Sequence, residues 1–211
     1  MANLPPMKRT LLTTLLGLAL GVASGLAQDK PKDDAKAPAA TNEVAVIETS
    51  KGDMVIEFWP EVAPKTVENF KKLAKEKFYD GTAFHCIIKG FMIQGGDPFT
   101  KDKTKEAMWG QGDPGYKIKA EFNNRSHQRG VISMAHDPQP DSAGCQFFIC
   151  HGDASGFDRQ YTVFGVLIKG DDVFEKIANT RCVSNGRGEN SKPTERVEAK
   201  SIKIVPANTV K

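Results

Sequence analysis

The stretch FHCIIKGFMIQGGD, residues 84–97, read together with CQFFIC, residues 145–150, decides how this chain folds. Each is a short run of β-branched and aromatic residues, and glycines punctuate the first, the composition of half-buried strands. Alternation along a strand sends Met92 and Gln94 to one face and Phe91 and Ile93 to the other, unless Gly90 or Gly95-Gly96 bends the chain locally. By the same period Gln146 and Phe148 share a face, while Cys145 and Cys150 point to opposite sides and are poor disulfide partners. Phe-rich strands are ordinarily core. Two glutamines on such strands fit a core badly, because a buried amide needs hydrogen-bond partners.

Working outward, residues 44–49 (VAVIET) and 54–59 (MVIEFW) flank Ser50-Lys51-Gly52-Asp53 and read as an opening hairpin. Residues 63–77 (APKTVENFKKLAKEK) read as an amphipathic helix, with Pro64 in the first turn and Val67, Phe70, Leu73 and Ala74 at helical spacing. Its later lysines suit the negative end of the helix. Strands are expected at 83–89 and 91–94, then a long loop over 97–119 broken by Pro98, Gly110, Gly112, Pro114 and Gly115. Further strands follow at 130–135, 146–150 and 161–168. A second, shorter helix opens at Gly170-Asp171-Asp172 and carries Val173, Phe174, Ile177 and Ala178. Residues 181–193 read as a polar loop and 197–205 as the last strand. Many short strands with two lone helices predict a mostly β, antiparallel barrel or sandwich. No βαβ alternation and no glycine-rich phosphate loop is present; Gly95-Gly96 leads into Asp97-Pro98, not a helix.

The N-terminal part is of another kind. Lys8 and Arg9 precede an uncharged run over 10–25 that ends in Gly25-Leu26-Ala27, the layout of a secretory signal. A membrane anchor or a buried helix is the other reading. The run is short for a span of about 20 residues and holds Thr13, Thr14, Gly17 and Gly21. The expected organisation is a cleaved signal over 1–27, a disordered linker over 28–42, one domain over 43–206 and a tail over 207–211. The domain is then exported, to the periplasm or beyond. The net charge of +3 includes Lys8 and Arg9, and no basic stripe interleaved with aromatics appears, so nucleic acid is not an expected partner. Four cysteines (Cys86, Cys145, Cys150 and Cys182) allow three complete pairings among which sequence cannot choose, and free, mostly buried thiols are the default. The four histidines and four cysteines show no zinc-ligand spacing, and no cofactor motif is found.

Residues 84–97 resemble the cyclophilin segment Phe-His-Arg-x-Ile-x-Gly-Phe-Met-x-Gln-Gly-Gly-Asp at all but one fixed position. RGVISMA (129–135), GCQFFIC (144–150) and YTVFG (161–165) resemble further cyclophilin segments, in the right order. The resemblance covers residues 43–205 and implies an eight-stranded antiparallel barrel capped by two α-helices. It also implies peptidyl-prolyl cis–trans isomerase activity, with proline-containing peptides and unfolded proteins as partners, no cofactor, and a monomer that does not stay in the membrane. By resemblance, Phe91, Met92, Phe148 and Phe157 form an apolar proline pocket. Gln94, Gln146 and the backbone around Ala135 and His136 hold the peptide beside it, and Tyr161 touches the substrate. His85 and His151 are taken as structural.

The sequence departs from the family pattern at three places. Cys86 replaces the arginine that works on the prolyl amide, leaving Gln94 as the supporting catalytic residue. His136 stands where Asn is common. Gly156-Phe157 occupies a stretch where a large residue followed by Leu is usual. A thiol is a weak donor and, ionised, of the wrong sign. The expectation is therefore a weakened isomerase, with a prolyl-peptide-binding module or chaperone of little catalysis as the alternative. Lys89 or Arg159 could substitute as donor. A thiol enzyme built on Cys86 would need an oriented Cys–His–Asn set, and none is visible.

Overall fold

The computed structural model describes residues 42–186 and 188–210. The expected signal and nearly all of the expected linker lie outside the described residues. The described part opens with the anticipated hairpin: β1 (Glu43–Thr49) pairs with β2 (Gly52–Phe58) around Ser50-Lys51. Gly52 closes the turn at φ 126°, a conformation open to glycine but not to side-chain-bearing residues. Helix α1 (Pro64–Lys75) follows, with its proline at the start and Lys72 and Lys75 in the last turn. Its N-cap residue, Ala63, has no capping side chain. The Glu121 carboxylate substitutes, accepting from Lys65 N (3.0 Å), Thr66 N (2.8 Å) and Thr66 Oγ1 (2.7 Å).

The expected strand over 83–89 is broken. β3 (Thr82–Ala83) pairs with the last strand, and β4 (Cys86–Ile88) pairs with β5 (Met92–Gly95). Between them Phe84 N donates to Val197 O (2.9 Å) and His85 N donates to Gln94 O (3.1 Å), so the segment is handed from one side of the sheet to the other. β6 (Val131–Met134), β7 (Phe147–Cys150) and β8 (Thr162–Lys169) come next, then α2 (Asp171–Ala178). The expected polar loop over 181–193 is instead a ribbon of β9 (Cys182–Ser184) and β10 (Asn190–Pro193), and β11 (Glu198–Pro206) closes the chain. The ribbon escaped the sequence reading because backbone pairing makes it, not a buried face: Val183 and Ser184 are exposed.

The main sheet is antiparallel throughout, in the order β3-β11-β1-β2-β8-β6-β7-β5-β4. Its nine strands become eight when β3 and β4 are counted as one bent strand, and the curled sheet then closes on itself. The inward face holds a cluster in which Phe70 of α1 lies 5.4 Å from Phe147, 5.4 Å from Phe164 and 5.1 Å from Tyr79, between ring centroids. Val173, Phe174 and Ile177 of α2 join the same cluster. Both helices thus spend their apolar stripes on the barrel interior. A second, smaller cluster sits on the other face of β5 and β7. It consists of Phe148, Cys150 and Ala154, with Phe91, Met92, Ala135, Phe157 and Tyr161 packed against it.

Candidate active site

The second cluster follows from the two-residue period of the strands. On β7, Phe147 and Ile149 face the interior and Phe148 and Cys150 face the second cluster. On β5, Ile93 faces inward and Met92 outward. Register then aligns one row across neighbouring strands: Cys86 opposite Gln94, Gln94 opposite Phe148, and Phe148 opposite Ser133. Cys145 and Cys150 fall in different clusters, on opposite sides of the wall, and all four cysteines are free.

Phe91 is the place where the bend allowed for at Gly90 occurs. It does not alternate away from Met92 but packs in the same outer cluster. It lies in the turn before β5, where Gly90 at φ 82° redirects the chain. The turn is pinned by His151, whose N donates to Phe91 O (2.8 Å) and whose Nδ1 accepts from Gly90 N (2.9 Å). His151 Nε2 lies 3.0 Å from Glu175, so this histidine is structural, as the sequence reading had it.

The outer cluster is an aromatic cup. Phe148, 3% exposed, forms its floor. Phe157 lies 6.0 Å from it, 5.3 Å from Phe91 and 4.6 Å from Tyr161, and Tyr161 lies 5.6 Å from Phe148. Phe91, Met92, Phe157 and Tyr161 are each only half-buried, so their faces are open to a ligand. His136 stacks on Tyr161 at 4.4 Å and its Nε2 is 2.8 Å from Gln160 O, tying two loops at the rim.

Polar groups line one side of the cup. Gln94 Nε2 donates to Gln146 Oε1 (3.0 Å), and Gln146 Nε2 donates to Gly112 O (2.9 Å), which fixes both amides. Ala135 N donates to Gln146 O (2.9 Å), so the end of β6 and the approach to β7 are held together there. The loop that supplies Gly112 is anchored by the wholly buried Asp97, which accepts from Phe99 N (2.7 Å), Gly110 N and Gly112 N (3.3 Å). Two depressions border Gln94. One, of about 80 Å³, lies between residues 110–113 and Ala135-His136. The other, of about 800 Å³, lies between Trp109 and the β9–β10 ribbon and is bordered by Cys86, His85, Glu106 and Glu189.

Burial pushes the Cys86 thiol up from its ordinary value, against the lowering effect of a hydrogen bond with Ser191. Cys86 is thus a neutral thiol at neutral pH. His85 borders the same cleft, but burial lowers its ring below the ordinary imidazole value and no hydrogen bond joins it to Cys86, so no oriented Cys–His pair is formed. Lys89 and Arg159 are exposed and neither borders the cleft at Cys86. Among the described residues no cluster of His, Cys, Asp or Glu could hold a metal ion.

Four residues to which the sequence reading gave no role complete the arrangement. Asp158 accepts from Ser126 Oγ (2.7 Å) and His127 N (2.8 Å), and His127 in turn contacts Ser133. Nothing local marks them, because His127 and Asp158 are 31 positions apart.

Comparison with known proteins agrees with this geometry. The family model for cyclophilin type peptidyl-prolyl cis-trans isomerases matches residues 44–204. A peptidyl-prolyl cis-trans isomerase of Acinetobacter baylyi is 39% identical over 181 residues, covering 83% of this chain and 92% of that protein. Another, of Synechococcus elongatus, is 45% identical over 121 residues, covering 57% of this chain and 77% of that protein. Among solved structures, a cyclophilin type isomerase of Cryptosporidium parvum, determined in the presence of the dipeptide Ala-Pro, aligns with a TM-score of 0.67. It is 30% identical and covers 77% of this chain and 98% of its own.

Proposed function

This chain belongs to the cyclophilin-type peptidyl-prolyl cis–trans isomerases, and we propose that it is a slowed member that binds prolyl segments of exported proteins. The reaction needs no covalent step. Rotation about an X–Pro bond meets a barrier of ~20 kcal/mol because amide resonance is lost, and uncatalysed exchange takes tens to hundreds of seconds. The protein has only to bind the twisted amide better than either planar one.

The observation that carries the reading is the row Cys86, Gln94, Phe148, with the aromatic cup against it. A proline ring is compact, apolar and lacks an N–H. The half-buried faces of Phe91, Met92, Phe157 and Tyr161 over the Phe148 floor suit it. Binding of a proline peptide is supported by the Cryptosporidium parvum relative, whose structure was determined with Ala-Pro. Gln94 and Gln146, fixed by their mutual bond, and the backbone at Ala135 and His136 would hold the peptide across the rim. The slowing rests on Cys86: a neutral thiol bonded to Ser191 offers the prolyl amide no strong donor. Export rests on Lys8 and Arg9 ahead of the uncharged run over 10–25 and on Gly25-Leu26-Ala27.

The test is a titration of a labelled Xaa-Pro tetrapeptide with exchange measured between its cis and trans forms. Saturable binding with accelerated exchange, both lost in Phe157→Ala, is the expected result. Binding without acceleration selects the chaperone alternative, and no binding overturns the site.

A further inference from the structure

The aromatic cup has one wall that belongs to no strand. Phe157 and Tyr161 sit on the segment between β7 and β8, and something must hold that segment against Phe148. The structure shows what does. The Asp158 carboxylate, next to Phe157, accepts from Ser126 Oγ (2.7 Å), His127 N (2.8 Å) and His127 Nδ1 (2.9 Å). Ala154 N donates to His127 O (2.9 Å), closing the stitch from the other end of the segment. Across the ring, His127 Nε2 lies 3.1 Å from Ser133 Oγ, and Ser133 is the strand partner of Phe148.

Chemistry fixes the tautomer. An ionised carboxylate only accepts, so Nδ1 carries the hydrogen and Nε2 accepts from the Ser133 hydroxyl. The ring is also wedged among the cup's aromatics: stacked on Phe148 at 5.9 Å and 12°, and edge-on to Phe157 (6.2 Å) and Tyr161 (6.4 Å). The Asp–His–Ser order is that of a hydrolytic triad, but His127 and Ser133 are wholly buried, so no ester or amide can reach the hydroxyl.

We propose that His127 is a positioning residue that sets the gap between the Phe157–Tyr161 wall and the Phe148 floor, and thereby how tightly the cup grips a proline ring. The inference rests on the cup being the proline site. One imidazole joins β6 to the side of the pocket that lies outside the strands and touches three of its rings, the kind of support that keeps contact groups in register.

Two variants test it in the full chain. His127→Phe keeps a flat ring but removes both polar links; Asp158→Asn leaves the ring and weakens only the link to the wall. Dissociation constants for the tetrapeptide come from titration and the exchange rate at saturation from NMR. Both variants are expected to weaken binding at least roughly fivefold, with the saturated rate within about twofold of wild type. Wild-type ¹⁵N spectra should show the Nδ1–H tautomer. A working wild type whose two variants bind with unchanged affinity, losing only folded fraction, overturns the positioning role alone. An Nε2–H tautomer also overturns it. A wild type that does not bind the peptide overturns the site reading, and the positioning role with it.

Discussion

Replacing Cys86 by arginine should raise the isomerisation rate by the worth of one charge-assisted hydrogen bond. Cys86 is directly opposite Gln94, whose amide is already held by Gln146 and so stands ready to align a neighbouring donor. The cleft of about 800 Å³ beside it leaves room for a guanidinium without displacing core side chains. The change gives up the Cys86–Ser191 hydrogen bond and part of the new cation's hydration. The gain is one charge-assisted hydrogen bond made chiefly to the twisted amide, ~1.5–3 kcal/mol, which corresponds to roughly 10- to 150-fold in kcat/KM. Glu189 works against it, because its carboxylate also borders the cleft and competes for the new cation. The double variant Cys86→Arg, Glu189→Gln should therefore be at least as fast as the single one. A protease-coupled or NMR exchange assay reads all forms. The reasoning is refuted if Cys86→Arg adds nothing, or if Gln94→Ala in that background leaves the gain intact.

Acidity should weaken the fold through the His127–Asp158 clasp. Asp158 is held down to about 2 by its bonds from Ser126 and His127, against an ordinary 3.8, so its contribution is present above 3.8 and fades as pH falls through 2. Burial holds His127 below its ordinary 6.5, so under 6.5 the unfolded chain takes up a proton that the folded chain refuses, and stability falls with pH. Urea midpoints should decline from about pH 7 to about pH 5 and decline less in His127→Phe; equal slopes would remove His127 from the account. The thiols should be slow to react: burial lifts Cys145 and Cys150 to about 12 and raises Cys86 and Cys182 above their ordinary 9.0. Native protein with iodoacetamide should leave Cys145 and Cys150 unmodified until unfolded, and rapid alkylation of Cys86 at neutral pH would contradict the assignment.

Period-two alternation exposed the two faces of the barrel wall, because Met92, Gln94, Gln146 and Phe148 lie on or beside regular strands where geometry follows from position alone. Helix α1 was legible for the same reason at a different period, down to its buried Val67, Phe70, Leu73 and Ala74. What failed was local curvature. At Phe91 strict alternation does not hold, because a positive φ at Gly90 resets the count, the local bend the glycine allowed for. The break at Phe84-His85 has no breaker residue; it comes from two different neighbours, Val197 and Gln94, claiming successive amides. The ribbon over 182–193 has no apolar period to read. The His127–Asp158–Ser133 clasp depends on the run into β6 meeting the segment before β8, 31 positions on, and no local pattern encodes that.

The bend at Phe84-His85 also decides how the sheet ends. An open sheet presents rows of unpaired amides and carbonyls that another chain can adopt as a template. Here the two ends of the sheet are halves of a single segment, and the strands left there are only two and three residues long. Ends so short leave the main sheet few unpaired backbone groups on which an extended chain could add as a further strand.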